Sequence, residues 1–98
     1  MKINKTADKN VLCLEIAGRL DTVTAPELEA VINSELEEIS ELYFDFKELE
    51  YVSSAGLRVL LSAQKQMNKK GGMVLRNVNE DIMEVFDITG FSDILTIE

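Results

Sequence analysis

The sequence predicts an α/β fold: a mixed, mostly parallel sheet with an antiparallel edge strand at its amino-terminal side and helices packed mainly on one face. Three observations carry that prediction. Runs with the two-residue period of a strand alternate with runs of 3.6-residue period, the signature of strand-helix-strand units. Helix-start and helix-stop residues punctuate those runs. Finally, 98 residues with 46% hydrophobic content suffice for one ordinary core and leave no room for a second domain.

Met1 to Thr6 is short and amphipathic, Ala7-Asp8-Lys9-Asn10 has turn composition, and Val11-Leu12-Cys13-Leu14-Glu15-Ile16 is apolar at nearly every position. Together they read as a β-hairpin whose second strand is covered on much of both faces. Thr24-Ala25-Pro26-Glu27 offers an N-cap threonine, a proline in the first turn and a glutamate at the capping-box position, so a first helix should begin near Ala25. Its apolar residues Leu28, Val31, Ile32, Leu36 and Ile39 keep the helical period, with Glu29, Glu35, Glu37 and Glu38 mostly on the opposite, solvated side.

Leu42-Tyr43-Phe44-Asp45-Phe46 alternates strictly, which places Leu42, Phe44 and Phe46 on one face of a strand and Asp45 on the other. Lys47 to Val52 then leads out of that strand into Ser53-Ser54. Leu57, Leu60, Leu61 and Met67 mark a second helix, whose macrodipole Lys69-Lys70 complements and which Gly71-Gly72 ends with a left-handed stop. Met73-Val74-Leu75 is a further strand. Asn79 caps a third helix with Ile82, Val85 and Phe86 as its buried stripe, Gly90 ends it, and Ile94-Leu95-Thr96-Ile97 supplies a last short strand. The expected order is β β α β α β α β, and right-handed crossovers make the strands after the hairpin parallel.

Composition removes several functions. Eighteen acidic residues against ten basic ones give a net charge of −8, so the surface repels nucleic acid and anionic lipid. There is no histidine, the commonest general base and zinc ligand, and neither a cofactor nor a metal site is expected. Cys13, the single cysteine, sits between Leu12 and Leu14 as a buried small hydrophobe that cannot form an internal disulfide, compatible with a reducing cytoplasm. No apolar run approaches the ~20 residues of a membrane span and no secretory signal opens the chain, so a cytoplasmic protein without membrane insertion is expected, as a monomer or weak dimer.

The polar residues that remain converge on one place. Asp21 follows one strand and Ser53-Ser54 precede the second helix, so both should emerge at the carboxyl ends of neighbouring parallel strands, where α/β folds favour their sites. Ser54 reads as the N-cap of the second helix, where alanine in its place costs ~1 kcal/mol. Gly56 in the first turn is ~1 kcal/mol worse than alanine and implies a backbone that something approaches closely. A nucleophilic serine lacks a base and a nucleophile elbow, and Asp21 and Asp45 lack the adjacent acidic pair of a phosphoaspartate receiver, so no catalytic residue is assigned.

Gly18-Arg19-Leu20-Asp21, Thr24-Ala25-Pro26-Glu27-Leu28, Tyr51-Val52-Ser53-Ser54-Ala55-Gly56-Leu57 and the late Asp87-Ile88-Thr89-Gly90-Phe91 together resemble the anti-sigma-factor antagonist family, the single-domain members of the STAS group. The resemblance spans nearly the whole chain. It implies a STAS-like fold over residues 1–98 and a bacterial, non-enzymatic regulator of transcription. Such a regulator binds an anti-sigma factor that is also a serine/threonine kinase, displaces the sigma factor by partner switching, and is switched off by phosphorylation. The phosphoacceptor corresponds to Ser54. Ser53 stands where the family often has aspartate and is the alternate acceptor. Asp21 matches the aspartate of the partner-facing loop, and Thr22, Thr24, Ser53, Ser54, Ala55, Gly56, Leu57 and Arg58 complete the implied contact surface. A second reading from the same resemblance is a STAS scaffold subunit, never phosphorylated, docked on a membrane transporter or signalling complex.

Overall fold

The computed structural model describes residues 1–98. Strands β1 (Lys2–Asp8) and β2 (Val11–Leu20) form the antiparallel hairpin, turning through Lys9 at φ 56°. Helix α1 (Ala25–Glu35) runs into a 3-10 turn over Leu36–Glu38, and β3 (Glu41–Asp45) pairs parallel with the first half of β2. β4 (Leu49–Val52) pairs parallel with the second half of β2. Helix α2 (Ser54–Met67), strand β5 (Gly72–Arg76) parallel to β3, and helix α3 (Glu80–Thr89) follow. The sheet order is β1-β2-β3-β5, with β4 beside β2 and off that path.

This is the expected mixed sheet with one antiparallel pair, and burial shows where the helices lie. Leu12, Leu14 and Ile16 of β2, Leu42 and Phe44 of β3, and Met73 and Leu75 of β5 are all buried, each separated by a less buried neighbour. Residues two apart share a sheet face, so one face is covered throughout and the other is open. Leu28 and Ile32 from α1, Leu57, Leu60 and Met67 from α2, and Ile82 and Phe86 from α3 join the covered face in one continuous cluster.

Several local expectations fail, each for an identifiable reason. β2 is covered on one face rather than both: Cys13 is half-buried on the open face, and Glu15 beside it is exposed. Burial, then the nearby Glu15 and Asp45 carboxylates, push the Cys13 thiol above its usual pKa, so it stays protonated. The Lys47–Val52 stretch is more than an exit from β3. After a turn closed by Leu49 N donating to Phe46 O at 3.0 Å, the chain resumes as β4 and continues alongside β2. The last segment is not a strand. A 3-10 turn over Phe91–Asp93 follows Gly90 (φ 82°), and only Ile97 bridges to Leu75.

The end of α2 also differs. Its C-cap is Asn68 in right-handed conformation, without a left-handed glycine stop. Gly71 is required because a Cβ there would lie 2.3 Å from the Ser40 carbonyl oxygen, and Gly72, at φ 147°, opens β5. Lys70 does not serve its own helix: its Nζ donates to the carbonyls of Leu36 and Ile39, closing the 3-10 turn after α1. Leu61 is only half-buried, whereas Val59, Ala63 and Gln64 join the core face of α2.

Candidate functional site

Two loops meet where β2 and β4 end. Leu20 pairs with Val52, and Ser53 N donates to Leu20 O at 2.8 Å, so the chain leaving β4 is fastened to the last residue of β2. Gly56 then sits against the same residue. A Cβ on it would come 2.7 Å from Leu20 Cγ and 3.0 Å from the Leu20 carbonyl oxygen. The close approach that this glycine implies is therefore made by β2 itself, and it fixes the first turn of α2 beside the Asp21 loop.

In the Asp21 loop the polar groups bond to one another. Asp21 Oδ1 accepts from Val23 N at 3.0 Å and Thr24 N at 3.1 Å, while Thr24 Oγ1 accepts from Asp21 N at 2.9 Å and donates to Arg19 O at 2.8 Å. Thr24 consequently makes no side-chain cap on α1, and the expected capping box with Glu27 is absent because its hydroxyl is already committed. The bond from the Thr24 backbone holds the Asp21 carboxyl below its usual pKa, helped by the Val23 amide, the Thr24 hydroxyl and the Arg19 charge. This tight turn pushes Thr22 and Val23 outward, and Val23 is 80% exposed.

The serine turn distributes its groups differently. Ser53, in extended conformation, is the N-cap of α2, its Oγ accepting from Gly56 N at 3.4 Å. Ser54, expected to be the cap, is instead the first helical residue, and its side chain is exposed. The two serines thus divide the roles that one was expected to combine: Ser53 is half-buried and bonded, Ser54 is free. Leu57 N bonds to Ser53 O, which leaves the Ser54 and Ala55 amides as the unbonded donors of the helix start.

Of the residues anticipated for a contact surface, Asp21, Thr22, Thr24, Ser53, Ser54, Ala55 and Arg58 come together with at least part of each accessible. Gly56 and Leu57 are buried and seat the turn from inside. Thr22, Ala25, Pro26 and Glu29 face Ala55, Arg58 and Val59 across an open groove of about 230 Å³ between the starts of α1 and α2.

Sequence reasoning passed over Arg19 and Tyr51, which stack with the guanidinium 4.1 Å from the ring centre on the open-face side of the same loops. Arg19 Nε lies 3.8 Å from Asp21 Oδ2. Alternation along β2 could have found Arg19, since Leu20 points inward and the residue before it must point out, whereas Tyr51 lies in β4, whose pattern does not alternate. No group of three or more Cys, Asp or Glu side chains is placed to hold a metal ion, and no helix is long and apolar enough to cross a membrane.

Comparison with known proteins bears on the family and the fold. The family model described as STAS domain matches residues 2–98. The chain is 32% identical to the anti-sigma-B factor antagonist of Bacillus subtilis over 98 residues, covering 99% of this chain and 90% of that protein. Among solved structures, an anti-sigma factor antagonist from Mycobacterium paratuberculosis matches with a TM-score of 0.87 at 22% identity, covering 98% of this chain and 83% of the other. The Bacillus cell fate determinant SpoIIAA in its phosphorylated form matches with a TM-score of 0.78 at 16% identity, over 99% of this chain and 91% of that one. At those identities the two structures speak for the fold alone. With a family model spanning Lys2 to Glu98 and a relative matched along nearly its whole length, the chain belongs to the STAS-domain family of anti-sigma-factor antagonists.

Proposed function

We propose that this protein binds an anti-sigma factor that is also a serine/threonine kinase, so that a sigma factor is released, and that phosphorylation of Ser54 by that kinase ends the binding. One observation carries the choice of residue: the Ser54 hydroxyl is exposed at the first position of α2, whereas the Ser53 hydroxyl is occupied as the cap. In the transfer, Ser54 Oγ bonds to the γ-phosphorus of ATP, the bridge to ADP breaks, and the hydroxyl proton passes to a base on the kinase, since this chain has no histidine. The contact surface comprises Asp21, Thr22, Thr24, Ala55 and Arg58 around the two serines. In this reading the chain is a non-enzymatic module of residues 1–98, acting in the bacterial cytoplasm as a monomer or weak dimer, without nucleic acid or membrane as partner.

The physics of the switch follows from position. Phosphate adds a charge of roughly −1.5 to −2, and at a helix amino terminus the dipole favours it by ~0.3–1 kcal/mol. Folding therefore survives modification. Buried at a closed interface, the same dianion loses its hydration, and an unpaired buried charge costs several kcal/mol. A loss of ~3 kcal/mol weakens binding about a hundredfold.

Incubation with the candidate kinase and ATP is expected to add one phosphate by mass spectrometry, and Ser54→Ala to abolish it. An addition that persists in Ser54→Ala moves the acceptor elsewhere, and a chain that binds no kinase and takes up no phosphate overturns the reading. Ser54→Asp should weaken kinase binding while leaving the melting temperature almost unchanged.

A further inference from the structure

The chain contains three arginines, Arg19, Arg58 and Arg76, and their surroundings differ. Arg19 stacks on Tyr51 and lies beside Asp21, while Arg76 stacks on Tyr43 at 4.4 Å and lies 3.5 Å from Glu98 Oε1. Arg58 has none of this. It is exposed, with no carboxylate within ion-pair reach and no aromatic ring beneath it. An arginine left without partners in a chain of net charge −8 stands out against its two counterparts.

Its place on α2 makes the difference informative. Arg58 follows Ser54 by four residues in the same helix, and residues at that spacing stand one above the other with Cβ atoms ~5–6 Å apart. Arg58 lines the groove beside Ala55, and because helical side chains lean toward the amino terminus, its long side chain has the reach to turn back to a group carried on Ser54. A planar guanidinium offers two parallel donors to a phosphate, a geometry that lysine cannot reproduce. The one carboxylate lining the groove beside Arg58 is Glu29, on the other helix and without an ion pair to it.

We propose that Arg58 receives the phosphate carried by Ser54, so that modification both adds a dianion to the contact surface and withdraws its one unpaired arginine. The proposal rests on Ser54 as the modified residue. In the unmodified chain Arg58 is free on the wall of the α1–α2 groove, available to an acidic group of the partner. In the modified chain it is held one turn back along its own helix. Phosphorylation thus changes the surface at two points of opposite charge.

The test places phosphoserine at position 54 of the full chain during synthesis, so no kinase is involved, and follows the phosphate by phosphorus-31 NMR through its second ionisation near pH 6. The midpoint is expected about 0.3 to 0.5 unit lower in the wild type than in Arg58→Ala, with Arg58→Lys retaining part of the shift because it keeps the charge but not the fork. Equal midpoints in wild type and Arg58→Ala overturn the role of Arg58, as would an Arg58→Ala midpoint below the wild-type one. A merely structural contribution of Arg58 would change the melting temperature without moving the phosphate titration. Failure of any kinase to modify Ser54 would overturn the proposed function instead, and that outcome is read in a separate experiment.

Discussion

The loops that open α1 and α2 both leave the carboxyl end of a strand and both begin a helix, yet they spend their polar groups in opposite ways. Before α1, Asp21 and Thr24 bond to each other's backbone, to Val23 and to Arg19, and the residues left facing outward are Thr22 and the apolar Val23. Before α2, one hydroxyl suffices: Ser53 caps the turn, and Ser54 and Arg58 remain without partners. The first loop is a fixed wall and the second leaves a free hydroxyl beside it. Under the proposed function the hydroxyl that a kinase modifies is the one the fold does not need.

What holds the two loops in register is Gly56, and its replacement gives the largest expected effect. Alanine would gain ~1 kcal/mol of helix propensity, but its methyl would meet Leu20 at 2.7 Å and the Leu20 carbonyl oxygen at 3.0 Å. Overpacking of this kind costs typically 1–3 kcal/mol, so Gly56→Ala should lose up to about 2 kcal/mol net in urea unfolding. A gain in stability would mean that the turn is not seated on β2, and the contrast between a fixed and a free loop would collapse.

Separating the two serines sharpens the same contrast at smaller scale. Ser53→Ala removes the cap and should destabilise by about 0.5 to 1 kcal/mol, the low end for caps because the bond to Gly56 N is 3.4 Å long. Ser54→Ala should fall within ~0.5 kcal/mol of wild type, as surface substitutions do. Thermal or urea unfolding of both variants decides the order. If Ser54→Ala proves the more damaging, the cap has been assigned to the wrong hydroxyl.

Periodicity made most of the fold legible before any coordinates. The strict alternation of Leu42, Phe44 and Phe46 and the caps at Asn79 and Gly90 are local signals, and each element they mark is present. What was not legible depends on distant partners. Thr24 looks like a cap in sequence but is claimed by Asp21 and Arg19, and Lys70 looks like a partner for α2 but reaches the carbonyls after α1. β4 was hidden because Leu49-Glu50-Tyr51-Val52 has its two ends buried and its middle exposed, a pattern without alternation. At the candidate site the segment was legible and the register was not: a one-residue shift of the helix start exchanges the roles of Ser53 and Ser54, and helix boundaries are the least determined feature of a sequence pattern.

The smallest effect concerns the charge in the fixed loop. Backbone donors from Thr24 and Val23 bond the ionised Asp21 carboxyl and lower its pKa in the folded state, while in the unfolded chain the ordinary value of about 3.9 returns. A carboxyl with a depressed folded pKa contributes stability that is present above the unfolded value and is lost as pH falls through the folded one. Asp21→Asn keeps an oxygen that can accept both bonds but has no charge to titrate, so comparison with it cancels the seventeen other acidic groups common to both chains. The wild type should melt above Asp21→Asn at pH 6, and the gap should close below about pH 4 as the carboxylate takes up its proton. A gap that stays constant down to pH 2 would mean that the loop is held by shape and not by the Asp21 charge, making the fixed loop as indifferent to pH as the uncharged serine turn beside it.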